Sequence, residues 1–349
     1  MKIPHSRPYL DAFDEKALAA VLHDRYLSAG PRSSSFAEKV SRLIGRKWGI
    51  ATSSGTEALI AALRLLGRSK GGRVAVPAYI CSAVLDAVVA AGHEPVPVDI
   101  DRQTLAISPD ACNVLGSQIS LAVGAHLFGI PAPLHEIRVP LIEDCAQTLG
   151  ASISNRQVGS SGVLSICSFY ATKLLTTGHG GLLAGDANAL RERARSLFAH
   201  DTRVRWTGPC LHGLMSDLDA ALGSSQLAKL PQFLEERHKI AMRFTKALTG
   251  HERLAPGCIY SRFLIIVRDA ALEEMISKFA DAEIEAKRPV FKPLYAYLDR
   301  PDSEFPNAAW AHKHILSVPC YPGLSEDELS RIENFFEVHS DELDCWSSA

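Results

Sequence analysis

The sequence predicts an α/β protein in two parts. Residues 1–248 form an N-terminal arm and a large domain, with an open, mostly parallel sheet flanked by helices; residues 249–349 form a small α+β domain. Three observations carry this. Between residues 49 and 185, short apolar runs that end in polar residues alternate with segments of helical periodicity, the pattern of an α/β layer. Beyond residue 250 the extended runs and helices are fewer and less regular. A chain of 349 residues fits about two domains.

Composition narrows the function classes. With 47% hydrophobic and 22% charged residues the chain can bury a large core. A formal net charge of −2 gives no basis for nucleic acid or an anionic membrane as partner. No stretch reaches the apolar length of a membrane span, and residues 1–8 lack the apolar core of a secretion signal. Eight cysteines without a C-x-x-C pair predict reduced thiols in a cytoplasmic protein, with neither disulfides nor zinc. The thirteen histidines show no convincing ligand spacing.

Taken in order, residues 14–22 and 35–44 read as helices, separated by a break at 26–31 and ended by Gly45. Residues 49–67 are more informative. A short segment meets a Ser-Ser-Gly-Thr turn, and an Ala/Leu helix follows up to Gly67. The first turn of such a helix offers unpaired N–H groups and a positive dipole end, which suits a phosphate. Gly55 permits close approach and the Thr56 hydroxyl adds a donor; the same residues also serve as ordinary helix caps. Strands are expected at 73–77 and 95–100, a strand and turn over 119–129 and a strand over 140–147 that finishes in Glu143 and Asp144, with a helix over 82–91.

The stretch 163–184 carries the chemistry. An apolar run over 163–170 reads as a buried strand and Lys173 follows in a small polar turn, before Gly180, Gly181 and a return strand. Burial lowers a lysine's proton affinity and makes its amine a nucleophile toward carbonyls; a surface lysine after a strand is the plainer alternative. Asp144, Ser168 and Lys173 all fall at or just after strand ends, and ligands of open α/β sheets bind at that edge. Helices are then expected over 189–198, 217–227 and 231–248, with a basic-aromatic loop at 201–213 between the first two. In the C-terminal part we expect a strand at 260–267, a helix over 272–280, a strand or loop at 286–294 and an extended run at 314–322. A last helix over 325–338 is capped by Ser325 with Glu328 three residues on.

Seven segments together (26–31, 52–59, 98–101, 126–129, 142–147, 168–174 and 316–319) resemble, in order, the sugar aminotransferase family DegT/DnrJ/EryC1/StrS. The resemblance implies the aspartate-aminotransferase-like fold type I and the cofactor pyridoxal 5′-phosphate (PLP). It implies Lys173 as Schiff base and proton carrier, Asp144 against the pyridine nitrogen and Gln147, one helical turn further, near the ring's 3-oxygen. Gly55, Thr56 and Ser168 would hold the phosphate. It also implies a homodimer with shared active sites, in which His212 reaches the neighbouring subunit's phosphate. Three positions depart from the family pattern. Cys81 replaces an aromatic residue on the pyridine face, His212 with Leu214 replaces an asparagine and an arginine, and His179 replaces a glutamate.

The activity implied is ping-pong transfer of an amino group from glutamate or glutamine to a keto-sugar, nucleotide-linked, in amino sugar and cell-surface polysaccharide biosynthesis. The alternatives are a cyclitol or other polar ketone as acceptor, a PLP-dependent sugar dehydratase, or a non-catalytic regulator of the same fold. Arg203, Arg205, Lys287 and Arg288 are candidate contacts to substrate phosphate or carboxylate.

Overall fold

A computed structural model describes residues 2–67, 71–199, 210–252, 254–268 and 271–346. The basic-aromatic loop, with Arg203 and Arg205, lies mostly outside them.

Two helices, α1 (Ala12–Asp24) and α2 (Pro31–Leu43), precede β1 (Trp48–Thr52) and α3 (Gly55–Leu66). Then come β2 (Arg73–Pro77), α4 (Ser82–Ala90), β3 (Glu94–Val98), α5 (Pro109–Val114), β4 (Leu121–Ala125) and β5 (Leu141–Asp144). A two-residue hairpin, β6 (Ser152–Ile153) and β7 (Arg156–Gln157), leads into β8 (Leu164–Ser168) and β9 (Gly181–Gly185). The large sheet has the order β1-β9-β8-β5-β4-β2-β3. Its pairs are parallel from β8 through β3, and β9 runs antiparallel to both of its neighbours. This is the mixed, mostly parallel α/β sheet expected. The strands are apolar nearly throughout because helices cover the sheet: β2, β4 and β9 are buried almost end to end.

The remaining elements are α6 (Asn188–Phe198), α7 (Asp217–Thr249), β10 (Phe263–Val267), α8 (Leu272–Asp281), α9 (Pro306–His314), β11 (Ile315–Val318), α10 (Glu326–Val338) and β12 (Leu343–Cys345). The strands β11-β10-β12 form a second, antiparallel sheet. The cap expected on the last helix is present: Ser325 accepts from Glu328 N–H, and the Glu328 carboxylate returns to Ser325 N–H at 2.9 Å.

One expectation changes, one open alternative is settled and one helix was not anticipated. The helices placed at 217–227 and 231–248 are one rod of 33 residues that continues through Pro231. Proline removes one backbone donor and crowds the preceding turn, but Leu230 and Phe233 on either side are buried and hold the rod in register. Residues 286–294 form no strand; Lys287 alone bridges to Ser317. The segment 306–314, with proline in its first turn, is a helix that apolar periodicity did not reveal.

The far half of α7 puts Ile240, Ala241 and Phe244 into a cluster with Phe263, Phe279 and Phe336, whereas Ala220 and Leu230 pack with Phe36 and Phe169. Phe336 meets Phe244 edge-on at 5.5 Å and Phe279 at 6.4 Å. The N-terminal arm is tied to the same region: Ile3 pairs with Ile284, and His5 N–H donates to Glu285 at 2.8 Å. Phe336→Ala leaves a void among these rings and is expected to cost about 3–5 kcal/mol, read as a fall in the urea midpoint.

Candidate active site

The carboxyl ends of β1, β5 and β8 converge on one cavity of about 290 Å³, lined by Gly55, Thr56, Cys81, Asp144, Ser168 and Lys173, with Tyr170 and His179. Strand β8 stops at Ser168, and two backbone bonds tie down the loop that follows. Phe169 N–H donates to Gly180 O at 2.8 Å and Thr177 N–H to Phe169 O at 2.9 Å. Lys173 sits in a turn closed by its own N–H to Tyr170 O at 2.9 Å, with Leu174 and Leu175 buried as anchors.

Asp144 and Glu143 are neighbours on β5, so their side chains leave opposite faces of the sheet. Glu143 holds structure. It accepts from His126 Nε2 at 3.0 Å and from the amides of Gly159, Ser161 and Gly162 at 2.7–2.8 Å. Burial opposes its charge, but the His126 bond and these amides hold its proton affinity below the ordinary carboxylate value. Asp144 faces the cavity. Its Oδ1 accepts from Ala146 N–H at 2.8 Å, and among the described residues no donor takes Oδ2. Burial raises its proton affinity, opposed by the Ala146 amide and the Lys173 charge. Burial likewise lowers that of the Lys173 amine, against the pull of Cys81 and Asp144. An amine and an acid are thus shifted toward neutrality in one cavity, the signature of a chemical site.

The opposite wall is the start of α3. Ser54 caps it, its hydroxyl accepting from Glu57 N–H at 3.0 Å, which leaves the Gly55 and Thr56 amides with no acceptor among the described residues. A Cβ on Gly55 would lie 2.8 Å from Ser168 Cβ and 3.2 Å from Cys167 O, so the helix end and the strand end meet only because residue 55 has no side chain. Unpaired amides at a helix start beside a hydroxyl fit a phosphate, and an unpaired carboxylate oxygen facing a desolvated amine fits a protonated ring nitrogen and a carbonyl carbon. The cavity therefore suits PLP.

Other residues lie elsewhere than expected. Gln147 is in a tight turn, not a helix, because Thr148 N–H bonds Cys145 O at 3.1 Å. Its Oε1 accepts from Phe128 N–H at 2.9 Å, and it lines a smaller adjoining cavity of about 50 Å³ shared with Lys173, Ser261 and Arg262. Cys81 caps α4 and is exposed. The aromatic groups of the main cavity are Tyr170 and His179, edge to face at 5.3 Å. His212 and Leu214 are exposed and do not line it. Arg288 bonds His312 O and Glu273, Lys287 pairs with Glu285 at 2.8 Å, and neither lines the two cavities beside Lys173. Sequence reasoning missed Arg262, whose signal is a cation at the head of an otherwise apolar run. A larger open depression of about 830 Å³, lined by Glu38, Trp48 and Arg191 among others, shares no lining residue with this cavity. Among the described residues, no group of three or more His, Cys, Asp and Glu could hold a metal ion, and no helix is long and apolar enough to cross a membrane.

A sequence profile of the DegT/DnrJ/EryC1/StrS aminotransferase family matches residues 8–337. Among solved structures, Spr1654 from Streptococcus pneumoniae in its PMP form is similar at a TM-score of 0.89 and 23% identity, over 98% of each chain. The aminotransferase TlmJ from Streptoalloteichus hindustanus matches at 0.88 and 26%, over 96% of this chain and 98% of its own. DesI, solved with its TDP-sugar product, matches at 0.87 and 23%, over 97% and 93%.

Two outcomes follow. Glu143 carries a folded proton affinity below its ordinary value, so its contribution to stability is complete above pH about 4.5 and is lost as pH falls through the depressed value. Glu143→Gln should cost about 1–3 kcal/mol at neutral pH and flatten the acid limb of a stability–pH curve. Gly55→Ala should weaken PLP retention about tenfold or more, about 1.4 kcal/mol, in equilibrium dialysis, with the far-ultraviolet circular dichroism unchanged.

Proposed function

Because the chain belongs to the DegT/DnrJ/EryC1/StrS aminotransferase family, a PLP-dependent group of sugar aminotransferases, we propose that it moves an amino group from glutamate or glutamine to a nucleotide-linked keto-sugar. The observation that carries this is the Lys173–Asp144 pair in one cavity, with proton affinities displaced in opposite directions beneath two unpaired helix amides.

When bound, the cofactor supplies an electron sink for the bonds around the amino-bearing carbon. The protein does the rest. Asp144 Oδ2 keeps the ring nitrogen protonated. The Gly55 and Thr56 amides and the Ser168 hydroxyl hold the phosphate. Gln147, its Oε1 occupied by Phe128 N–H, would have its amide N–H groups left to donate to the ring oxygen. Lys173 would hold the cofactor through its carbonyl carbon, and its amine, of lowered proton affinity, would carry a proton to and from the substrate α-carbon as base and acid in turn. Donor and acceptor use this one site in succession, which makes the kinetics ping-pong. The TDP-sugar bound by DesI supports a nucleotide-linked acceptor. We place the enzyme in the cytoplasm as a homodimer, with the exposed His212 turned toward the partner's phosphate.

Loaded with PLP, the protein should absorb in the near-ultraviolet to violet and bleach on addition of glutamate or glutamine. Borohydride should leave a pyridoxyl group on the peptide bearing Lys173, and Lys173→Ala should abolish both signals. The bleached form should then recover its band with a keto-sugar nucleotide, yielding the amino sugar. Bleaching with sugar deoxygenation and no nitrogen transfer would identify a dehydratase, and no bleaching a regulator.

A further inference from the structure

A pair of thiols lies directly behind the strand ends that carry the site, and no step of the chemistry above uses it. Asp144 on β5 pairs with Ile166 on β8, and Cys145 N–H continues that ladder to Ile166 O at 2.9 Å, so the next pair along is Cys145 beside Cys167. Side chains alternate along a strand. Cys145 therefore shares a face with Glu143, and Cys167 with Ser165, opposite the face that Asp144 and Ser168 present to the cavity. Both thiols are buried, in a cluster with Phe36, Ile44 and Leu182. The nearby Cys167 thiol, and after it burial, hold the proton affinity of Cys145 well above the ordinary value, so the resting pair is reduced and neutral.

The spacing suits a bridge. Neighbouring strands lie about 4.7–4.9 Å apart, inside the window of about 4.4–6.8 Å between Cα atoms that a disulfide spans. The pair also touches the site on both sides. Cys145 follows Asp144, whose carbonyl accepts from His126 N–H at 3.1 Å and whose Oδ1 takes the Ala146 amide. Cys167 precedes Ser168, and its carbonyl lies 3.2 Å from where a Cβ on Gly55 would stand, so the start of α3 rests on that peptide. A sulfur–sulfur bond of about 2 Å would draw the two strand ends together and turn both the acid and the phosphate cradle out of place. Loop 159–162 roofs the thiols. A Cβ on Gly159 would fall 3.3 Å from Cys145 Sγ, and the Glu143 carboxylate pins three amides of that loop. A bulky reagent is thereby kept out, whereas a small peroxide needs only a brief local opening.

We propose that Cys145 and Cys167 form a redox switch, in which a peroxide joins them into a disulfide that loosens the hold on PLP and a thiol reductant reverses it. In the first step one sulfur attacks a peroxide oxygen, the O–O bond breaks and water leaves. In the second the other thiol displaces water from the sulfenic acid so formed. Two thiols and one hydrogen peroxide become one disulfide and two waters. The switch needs the cavity to hold PLP and is independent of which donor and acceptor the enzyme serves.

The test treats the PLP-loaded protein with hydrogen peroxide and blocks the remaining thiols before digestion. In the wild type, the peptides bearing Cys145 and Cys167 should be found joined and two hydrogens lighter, and dithiothreitol should separate them. PLP retention in equilibrium dialysis should fall about tenfold or more in step with the bridge, and return on reduction. Retention is measured in the Cys81→Ser variant, so that oxidation of the exposed thiol does not enter. In that background Cys145→Ala should keep its retention through the same treatment, and Cys167→Ala takes its place if that variant does not fold; the peptide mapping needs neither. No joined peptides once Cys81 is fully oxidised would overturn the proposal, as would a bridge that leaves PLP retention unchanged. A loss of retention that persists in the alanine variants would overturn it too, since oxidation elsewhere would then be the cause. If the untreated protein retains no PLP, the cofactor reading fails and the switch falls with it.

Discussion

A desolvated amine facing a desolvated acid is the arrangement on which the rest of the large sheet depends. Neither Lys173 nor Asp144 is comfortable charged in low dielectric, and each moderates the other only in part. The parallel strands β8 and β5 deliver them to the same edge, and the reversed strand β9 returns the chain beneath them. Gly181 allows that return: a Cβ there would fall 2.3 Å from the Ser54 carbonyl oxygen. Sheet order, the glycines at strand and helix ends and the tied-down loop 169–180 all serve to keep two reluctant charges at one address.

The same economy separates holding from reacting along a single strand. Glu143 has every reason to be neutral by burial, yet three backbone amides and a histidine keep it ionised; it fixes the loop 159–162 beneath the sheet. Arg46 adds to that buried network through Ser165 Oγ and Asp186. One residue later, Asp144 has a single amide and, among the described residues, an oxygen without a donor. Two carboxylates adjacent in sequence therefore differ in role because the pleat sends them into opposite environments.

Much of this was legible in the residues. Strand ends at Asp144 and Ser168, the glycine-led start of α3 and the Ser325–Glu328 cap are local features, written in short-range patterns of apolar and polar residues. What escaped depends on tertiary packing. Pro231 reads as a helix stop, yet buried neighbours on both sides carry α7 through it. Gln147 was placed a helical turn from Asp144, but the chain there folds into a tight turn and gives its side chain to Phe128. Arg262 lies some 90 residues from Lys173 in sequence and is held near it by long-range bonds, its own N–H to Phe128 O at 3.3 Å and its guanidinium to His5, which no local pattern encodes.

The exposed thiol at the mouth of the main cavity has a practical use. Of the eight cysteines, Cys81 alone has an exposed residue surface, while five are buried, although partial burial of its thiol in the cavity wall raises its proton affinity. A maleimide probe should therefore favour this position, and its labelling rate becomes a colourless gauge of how full the pocket is. Such footprinting reads occupancy directly, for colourless ligands as well as coloured ones.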